Sequence, residues 1–365
     1  MTTSRFAPPA RDVVVSVVLP VRDGEAFLAE AIESVLGQTL DELELVVVDD
    51  GSADSSREIA DAFVARDSRV RVVTQPIPAG ISRALNLGWR TATGRYVARM
   101  DADDVSLPDR LERQITFMTE HPDVGVVGGA VLLIDERGAH VGQIRYPATD
   151  AAIRARLVTA NPFAHPSVVI RREELGRVGG YRLDHVEDYD LWLRLAPHTR
   201  FANLEEPVLL YRRHARQVSV EELDEQARRL VAVRYAAGAR RSGRPDPLEG
   251  LDEIPDDALS RMGVSASEVE AAMFEARVAW AHALERVGAA RASAALAAAG
   301  CAAGGRSTFN GALEIERAKS ALGDGRRAVA LVHALAAFVI APRYAAHRLR
   351  RVVAVRRRRS AETGF

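Results

Sequence analysis

A chain of 365 residues allows one large domain or two ordinary ones, and 47% hydrophobic residues suffice for a core. A net charge of −1 gives no global attraction to nucleic acid, and the single cysteine, Cys301, excludes an internal disulfide and suits a reducing compartment. Residues 1–12 lack the apolar stretch of a secretory signal, and the best apolar run, Ala328 to Ala341, is short for a membrane span and contains His333.

Taken in order, Val13 to Leu19 is an apolar, β-branched run ended by Pro20 and reads as a buried strand. After the polar turn Arg22-Asp23-Gly24, the spacing predicts a helix over 25–36. Leu43 to Val48 is a second strand, ending in Asp49-Asp50-Gly51-Ser52. Asp54 and Ser55 read as caps for a helix over 56–66. Val70 to Val73 is a third strand, and 80–91 is helical. Tyr96 to Ala98 is a fourth strand and runs into Asp101, Asp103 and Asp104. The alternation predicts an α/β fold with a mainly parallel sheet flanked by helices, whose ligands bind beyond the carboxyl ends of the strands. Pro20 to Arg22, Asp49 to Ser52 and Asp101 to Asp103 all fall on that rim.

An Asp-x-Asp at a strand end puts two carboxylates on one side of an extended backbone, where they repel unless a cation sits between them. Such oxygens suit Mg²⁺ or Mn²⁺, ions usually shared with substrate phosphates. A solvated acidic turn capping the next helix is the other reading of these residues alone. Neither a Gly-x-Gly-x-x-Gly after the first strand nor a Gly-Lys-Ser/Thr is present, which argues against a dinucleotide fold of that type and excludes a P-loop.

Beyond Pro108 the pattern predicts a helix to about Glu120, strands over 124–134 and 141–146, a helix over 149–158, and strands over 167–170 and 208–211. Glu187-Asp188-Tyr189-Asp190-Leu191-Trp192 leads into a helix through Leu195. Asp188 at that helix N-terminus reads either as a cap or as a chemical group.

The ordered set of motifs resembles glycosyltransferase family 2. It comprises Ser16 to Gly24, Val48 to Asp54, Gly80 to Asn86, Ala98 to Asp104 and Leu107 to Leu111. His165-Pro166-Ser167, Gly179-Gly180-Tyr181, Glu187 to Trp192 and Tyr211 to His214 complete it, so the resemblance covers roughly three fifths of the chain. It implies a GT-A fold and an inverting, metal-dependent transferase of the hexosyltransferase type that uses a nucleotide-sugar donor. Pro20 and Arg22 would line the base and ribose pocket, and Asp50 would hydrogen-bond the base. Arg83 would approach the diphosphate, and Asp101 the ribose or a metal-bound water. Asp103 would bind Mn²⁺ or Mg²⁺, Asp188 would be the general base, and His214 resembles a further metal ligand, although a solvated His between arginines is the plainer reading. Glu187 beside Asp188 would raise its pKa or orient it. The Gln-x-x-Arg-Trp motif of processive relatives is absent, so one sugar is expected per encounter. Two rivals are a non-catalytic nucleotide-sugar-binding scaffold and a nucleotidyltransferase on a related fold.

The expected organisation is a transferase domain over 1–220, a helical, all-α appendage over 221–325 and a basic amphipathic tail over 326–365. Arg343, Arg348, Arg350, Arg351 and Arg356 to Arg359 make that tail a candidate for an anionic membrane surface, or a solvated charged end. The expected partners are a nucleotide-sugar donor and a glycan or lipid-linked acceptor, with no nucleic acid. The expected location is cytoplasmic, peripheral on the inner face of the plasma membrane.

Overall fold

The structure, a computed structural model, describes residues 13–213 and 220–286, with 310, 312–315, 337 and 341 beyond them. His214, Cys301 and the basic run over 343–359 lie outside the described residues. Two compact units divide the chain: Met1–Arg212 with Ala232–Ala258, and Arg213–Val231 with Leu259–Phe365.

The first unit opens with β1 (Val15–Val21), α1 (Leu28–Leu36), β2 (Leu43–Asp49), α2 (Ser56–Val64), β3 (Val70–Thr74), α3 (Ile81–Thr91) and β4 (Tyr96–Arg99). These strands lie in the order β3-β2-β1-β4, all parallel, with Val15 opposite both Leu43 and Tyr96. Every residue of β1 and β2 is buried, because both faces of the sheet are covered. Val15, Val17, Leu19, Leu45 and Val47 share one core with Leu28 and Ile32 of α1. Each such side chain contributes about 1.5–3 kcal/mol. The alternate residues Val18 and Val48 meet α3 at Gly88, where a Cβ would stand 2.3 Å from Val18 Cγ1. Only a glycine lets that helix approach so closely.

The sheet then changes character. β5 (Val105–Ser106) and α4 (Arg110–Glu120) lead to β6 (Val124–Ile134), β7 (His140–Ile144) and α5 (Asp150–Leu157). A 3₁₀ turn over His165–Ser167 precedes β8 (Val169–Arg171), α6 (Arg172–Arg177), α7 (Glu187–Leu195) and β9 (Arg200–Arg212). The order continues β4-β8-β6-β9-β5, with β7 on β6, completing nine strands. β8 is antiparallel to β4 and β6, β9 is parallel to β6, β5 is antiparallel to β9, and β7 is antiparallel to β6. The sheet is therefore mixed, parallel in its first half as the strand–helix alternation predicts.

Three elements differ from the sequence pattern. β5 is two residues long and exists through its pairing with Leu209 and Leu210. α6 has no apolar stripe to announce it. β9 begins at Arg200, eight residues before the expected strand, because Leu204 to Pro207 is a bulge within it: the register jumps from Gly129↔Leu204 to Ala130↔Pro207.

The chain continues into α8 (Val220–Arg241), α9 (Ala258–Arg261) and α10 (Ala266–Arg286). In the second unit, Ser265 and Glu268 form a reciprocal capping box at the start of α10. Arg277 pairs with both oxygens of Asp224. Among the described residues no helix is long and apolar enough to cross a membrane.

Candidate active site

The carboxyl ends of β1 and β2 are laced into one body. Asp23, held at φ 51°, accepts from Ala53 N at 2.7 Å and donates its own N–H to Ser52. Gly24 N donates to Ser56 Oγ, Glu25 N to Asp54, and Ser55 N to Glu25. Asp54 also accepts from Ser56 N, so it is the residue that caps α2, whereas Ser55 makes no side-chain cap. Pro20 lies within β1 opposite Val48, one residue beyond the expected strand end. Arg22 is exposed, 3.9 Å from Asp23.

Asp50 is buried and its carboxylate is already engaged. Oδ1 accepts from Ala79 N at 2.8 Å and from Gln75, and Oδ2 accepts from Gly80 N at 3.0 Å. It thereby fixes the loop that enters α3. Gly80 sits there at φ 91°, and a Cβ would fall 1.9 Å from Asp184 Oδ2. Asp184 Oδ1 accepts from Ser82 N at 2.8 Å, placing a carboxylate at the α3 N-terminus where it suits the helix dipole. Arg83, one turn in, is exposed and pairs with Asp252 at 3.2 Å.

β4 stops at Arg99, and Asp101 to Asp104 form a turn instead of continuing the strand. The alternation of strand side chains is therefore not what gathers the carboxylates; the turn does. One oxygen from each of Asp101, Asp103 and Asp104 lies within 4.8 Å of the others. The turn is fastened from β9: Arg212 N donates to Asp104 Oδ1 at 2.8 Å, and Arg212 Nε to Asp103 O at 2.8 Å. Arg212 also pairs with Glu30 at 2.6 Å. Asp104 is 1% exposed and its Oδ2 accepts no hydrogen bond. Burial, then the charges of Asp101 and Asp103, push the Asp104 carboxyl well above the usual carboxylate range. Burial also raises Asp101; the adjoining Arg99 opposes this and Asp103 adds to it. Three crowded carboxylates, two half-buried and the third buried with an unpaired oxygen, form a hard, all-oxygen donor set that fits a divalent cation of the Mg²⁺ or Mn²⁺ type.

Arg99 joins this turn to the start of α7. It pairs with Asp101 through Nη1, and Glu187 and Asp104 also act on its charge. Burial works against that charge, and Asp101, Glu187 and Asp104 together outweigh it. Glu187 and Asp188 open α7. Asp188 Oδ1 accepts from Tyr189 N at 2.6 Å, and Oδ2 accepts from the Asn161 side-chain amide. Burial and the charge of Glu187 raise the Asp188 carboxyl, against the pull of those two hydrogen bonds. Behind it, buried His165 makes long 3.5 Å contacts to Glu187 and to the Tyr181 hydroxyl. Burial, helped by the charge of Arg99, lowers His165 to about 3, so its ring is neutral near pH 7.

The helix carrying Asp188 is held by a buried charge network. Asp190 is 0% exposed and takes a bidentate pair from Arg182, at 2.8 and 2.9 Å, and a third bond from Arg194 at 2.7 Å. Arg182 continues to Asp246 at 2.7 Å and to Leu248 O, and Asp246 accepts from Arg240 at 2.6 Å. A separate cavity of about 440 Å³, lined by Asp123, Arg154, His198 and Arg200 among others, lies at the far end of α7, roughly 12 Å from Asp188 along the helix.

The structure thus gathers Asp101, Asp103 and Asp104 in one turn, brings the charges of Asp101, Asp104 and Glu187 onto Arg99, and sets Pro20, Arg22 and Asp50 on the neighbouring strand ends. Arg83 faces outward to Asp252. Sequence reasoning left Asn161, Arg99 and Asp190 without roles. Asn161 falls in the loop between the helix over 149–158 and the strand over 167–170, and Arg99 lies just past the expected fourth strand, so only their partners reveal them.

Residues 16–179 match the family described as Glycosyl transferase family 2. The chain is 36% identical over 185 residues to the putative glycosyltransferase EpsE of Bacillus subtilis, covering 49% of this chain and 66% of EpsE, just under two thirds. It is 35% identical over 211 residues to the O-antigen biosynthesis glycosyltransferase WbnJ of Escherichia coli, covering 55% of this chain and 80% of WbnJ. Among solved structures, a mannosyltransferase of Pyrobaculum calidifontis in complex with GDP-Man and Mn²⁺ is similar at 20% identity and TM-score 0.49, over 92% of this chain and 90% of that one.

Proposed function

The chain belongs to glycosyl transferase family 2, and from that premise we propose that it moves one sugar, with inversion, from a nucleotide-diphosphate sugar to a hydroxyl of a glycan or lipid-linked acceptor. The observation that carries the reading is the placement of Arg99, which brings the acidic turn after β4 and the Glu187-Asp188 start of α7 into one electrostatic unit.

In this reading the donor lies across the ends of β1, β2 and β4. Pro20 and Arg22 border its nucleoside. Asp50 shapes the same pocket, through the 75–80 loop that it fastens. Arg83 exchanges Asp252 for the diphosphate. Asp103, with Asp101 and Asp104, would hold Mn²⁺ or Mg²⁺, which would supply positive charge against the diphosphate leaving group. Asp188 accepts the proton of the acceptor hydroxyl. The freed oxygen bonds to the anomeric carbon from the face opposite the diphosphate, the carbon–oxygen bond to the diphosphate breaks, and the anomeric centre inverts. A raised Asp188 carboxyl suits this role, because a carboxylate of higher pKa is a stronger base. Similarity to an O-antigen biosynthesis enzyme supports a place in cell-surface glycan assembly. The basic run over 343–359 supports a cytoplasmic enzyme resting on an anionic membrane surface.

The test is calorimetric binding of a panel of nucleoside diphosphates and nucleotide sugars, with and without Mn²⁺. One nucleotide should bind in a metal-dependent way in the wild type and not in Asp103→Ala. Asp188→Ala should keep that binding and lose transfer by roughly 10²–10⁴-fold. Equal binding by wild type and Asp103→Ala would overturn the reading.

A further inference from the structure

Arg99 is the last residue of β4 and is 6% exposed. Its Nη1 stands in ion-pair contact with Asp101 Oδ2, and neither Nη1 nor Nε has an acceptor in hydrogen-bond geometry. Glu187 is 8% exposed and its Oε2 has no donor. A buried donor and a buried acceptor are thus left unpaired on two groups that already feel each other's charge. Each such orphan is costly, and a charge-assisted bond is among the stronger hydrogen bonds available.

We propose that Arg99 competes with the divalent cation for Asp101, and that Glu187 receives the guanidinium when the cation takes Asp101. The proposal rests on the reading of Asp101, Asp103 and Asp104 as the cation site. Asp101 cannot serve both partners fully, because two positive charges on one carboxylate repel. Displacing a buried guanidinium is costly unless another anion takes it. Glu187 is that anion: it is buried, within the field of Arg99, and has an oxygen to spare. Arg99 therefore sets the cation affinity, and Glu187, which is not a ligand, supports cation binding through Arg99. Both are positioning residues.

The experiment is calorimetric titration of the full chain with Mn²⁺ alone. Arg99→Met should bind Mn²⁺ roughly tenfold tighter or more, in line with the coupling of close charge pairs, and Arg99→Lys should stay near wild type. Glu187→Gln should weaken Mn²⁺ binding in the wild-type background and have little effect in the Arg99→Met background. Unchanged or weaker Mn²⁺ binding by Arg99→Met would overturn the proposal, as would an equal effect of Glu187→Gln in both backgrounds. Should Arg99→Met fail to fold, the Nε–H resonance of Arg99 in the wild type is followed during Mg²⁺ addition. It should move, and a stationary resonance overturns the proposal. Asp103→Ala separates the two failures. If it loses Mn²⁺ binding, the cation site stands and a negative result counts against Arg99 alone. If it binds Mn²⁺ as the wild type does, the site reading falls and this proposal falls with it.

Discussion

Asn161 donates its side-chain amide to Asp188 from 27 residues upstream, across the gap between the loop after α5 and the start of α7. A hydrogen bond to a carboxylate favours its charged form. Asn161→Ala removes that support, so the Asp188 carboxyl rises further and less of it is ionised at neutral pH. We expect a loss of roughly ten- to a hundredfold in kcat/KM, matching about 1.5–3 kcal/mol for a bond to a charged group. A kcat/KM profile against pH checks this: its acid limb should move to higher pH.

The wild-type profile has a sign of its own. The proposed role of Asp188 as base requires it deprotonated, so activity is expected to fall as pH drops through its pKa. That pKa is raised, by burial first and by Glu187 as well, so the acid limb should lie above the ordinary aspartate value of about 3.9. Glu187→Gln removes the repulsion and should shift the limb downward. A shift upward would mean that Glu187 does not act on Asp188 through its charge.

The charge network beneath α7 and the exposed pair on α3 should behave oppositely. Asp190→Asn leaves Arg182 and Arg194 buried with half their partner, and should cost about 3–5 kcal/mol. Asp252→Ala, which breaks the exposed pair with Arg83, should cost less than about 1 kcal/mol. Thermal unfolding of the two variants side by side makes the comparison.

Glu44 offers a test of stability against pH. It is buried on β2 and accepts from Ser16 Oγ at 2.6 Å, from Thr93 N and Oγ1, and from Arg71 at 3.0 Å. Burial alone would raise its carboxyl, but those bonds outweigh burial and lower it. A depressed folded pKa contributes stability above the unfolded value of about 4.3, and that contribution is lost as pH falls through the folded value. Glu44→Gln should therefore lower Tm clearly at neutral pH and progressively less in acid. A constant difference would show that its packing matters and its charge does not.

Much of the first half of the fold is legible in the sequence because β1, β2 and β4 are buried on both faces and flanked by helices of clear period. The second half is less so. β5 gains its identity only from β9, and Pro207 hides the length of β9 by sitting in a bulge. In the site, the residue types at a strand end pointed to the acidic turn, and the family resemblance pointed to Asp188. Their partners did not show, because Asp104 is fixed by Arg212 across 108 residues and Arg83 meets Asp252 across 169. Pairs so far apart leave no local pattern.

That reach of 108 residues also sets a clock. The turn over 101–104 is fastened by the final residue of β9, so Asp104 has no fixed donor on a ribosome until Arg212 has been made. At about 5–20 residues per second, roughly 5–20 s separate synthesis of the acidic turn from synthesis of its fastener. For that interval the Asp104 carboxylate lacks its backbone donor, and the turn takes its final fastening only when β9 joins the sheet.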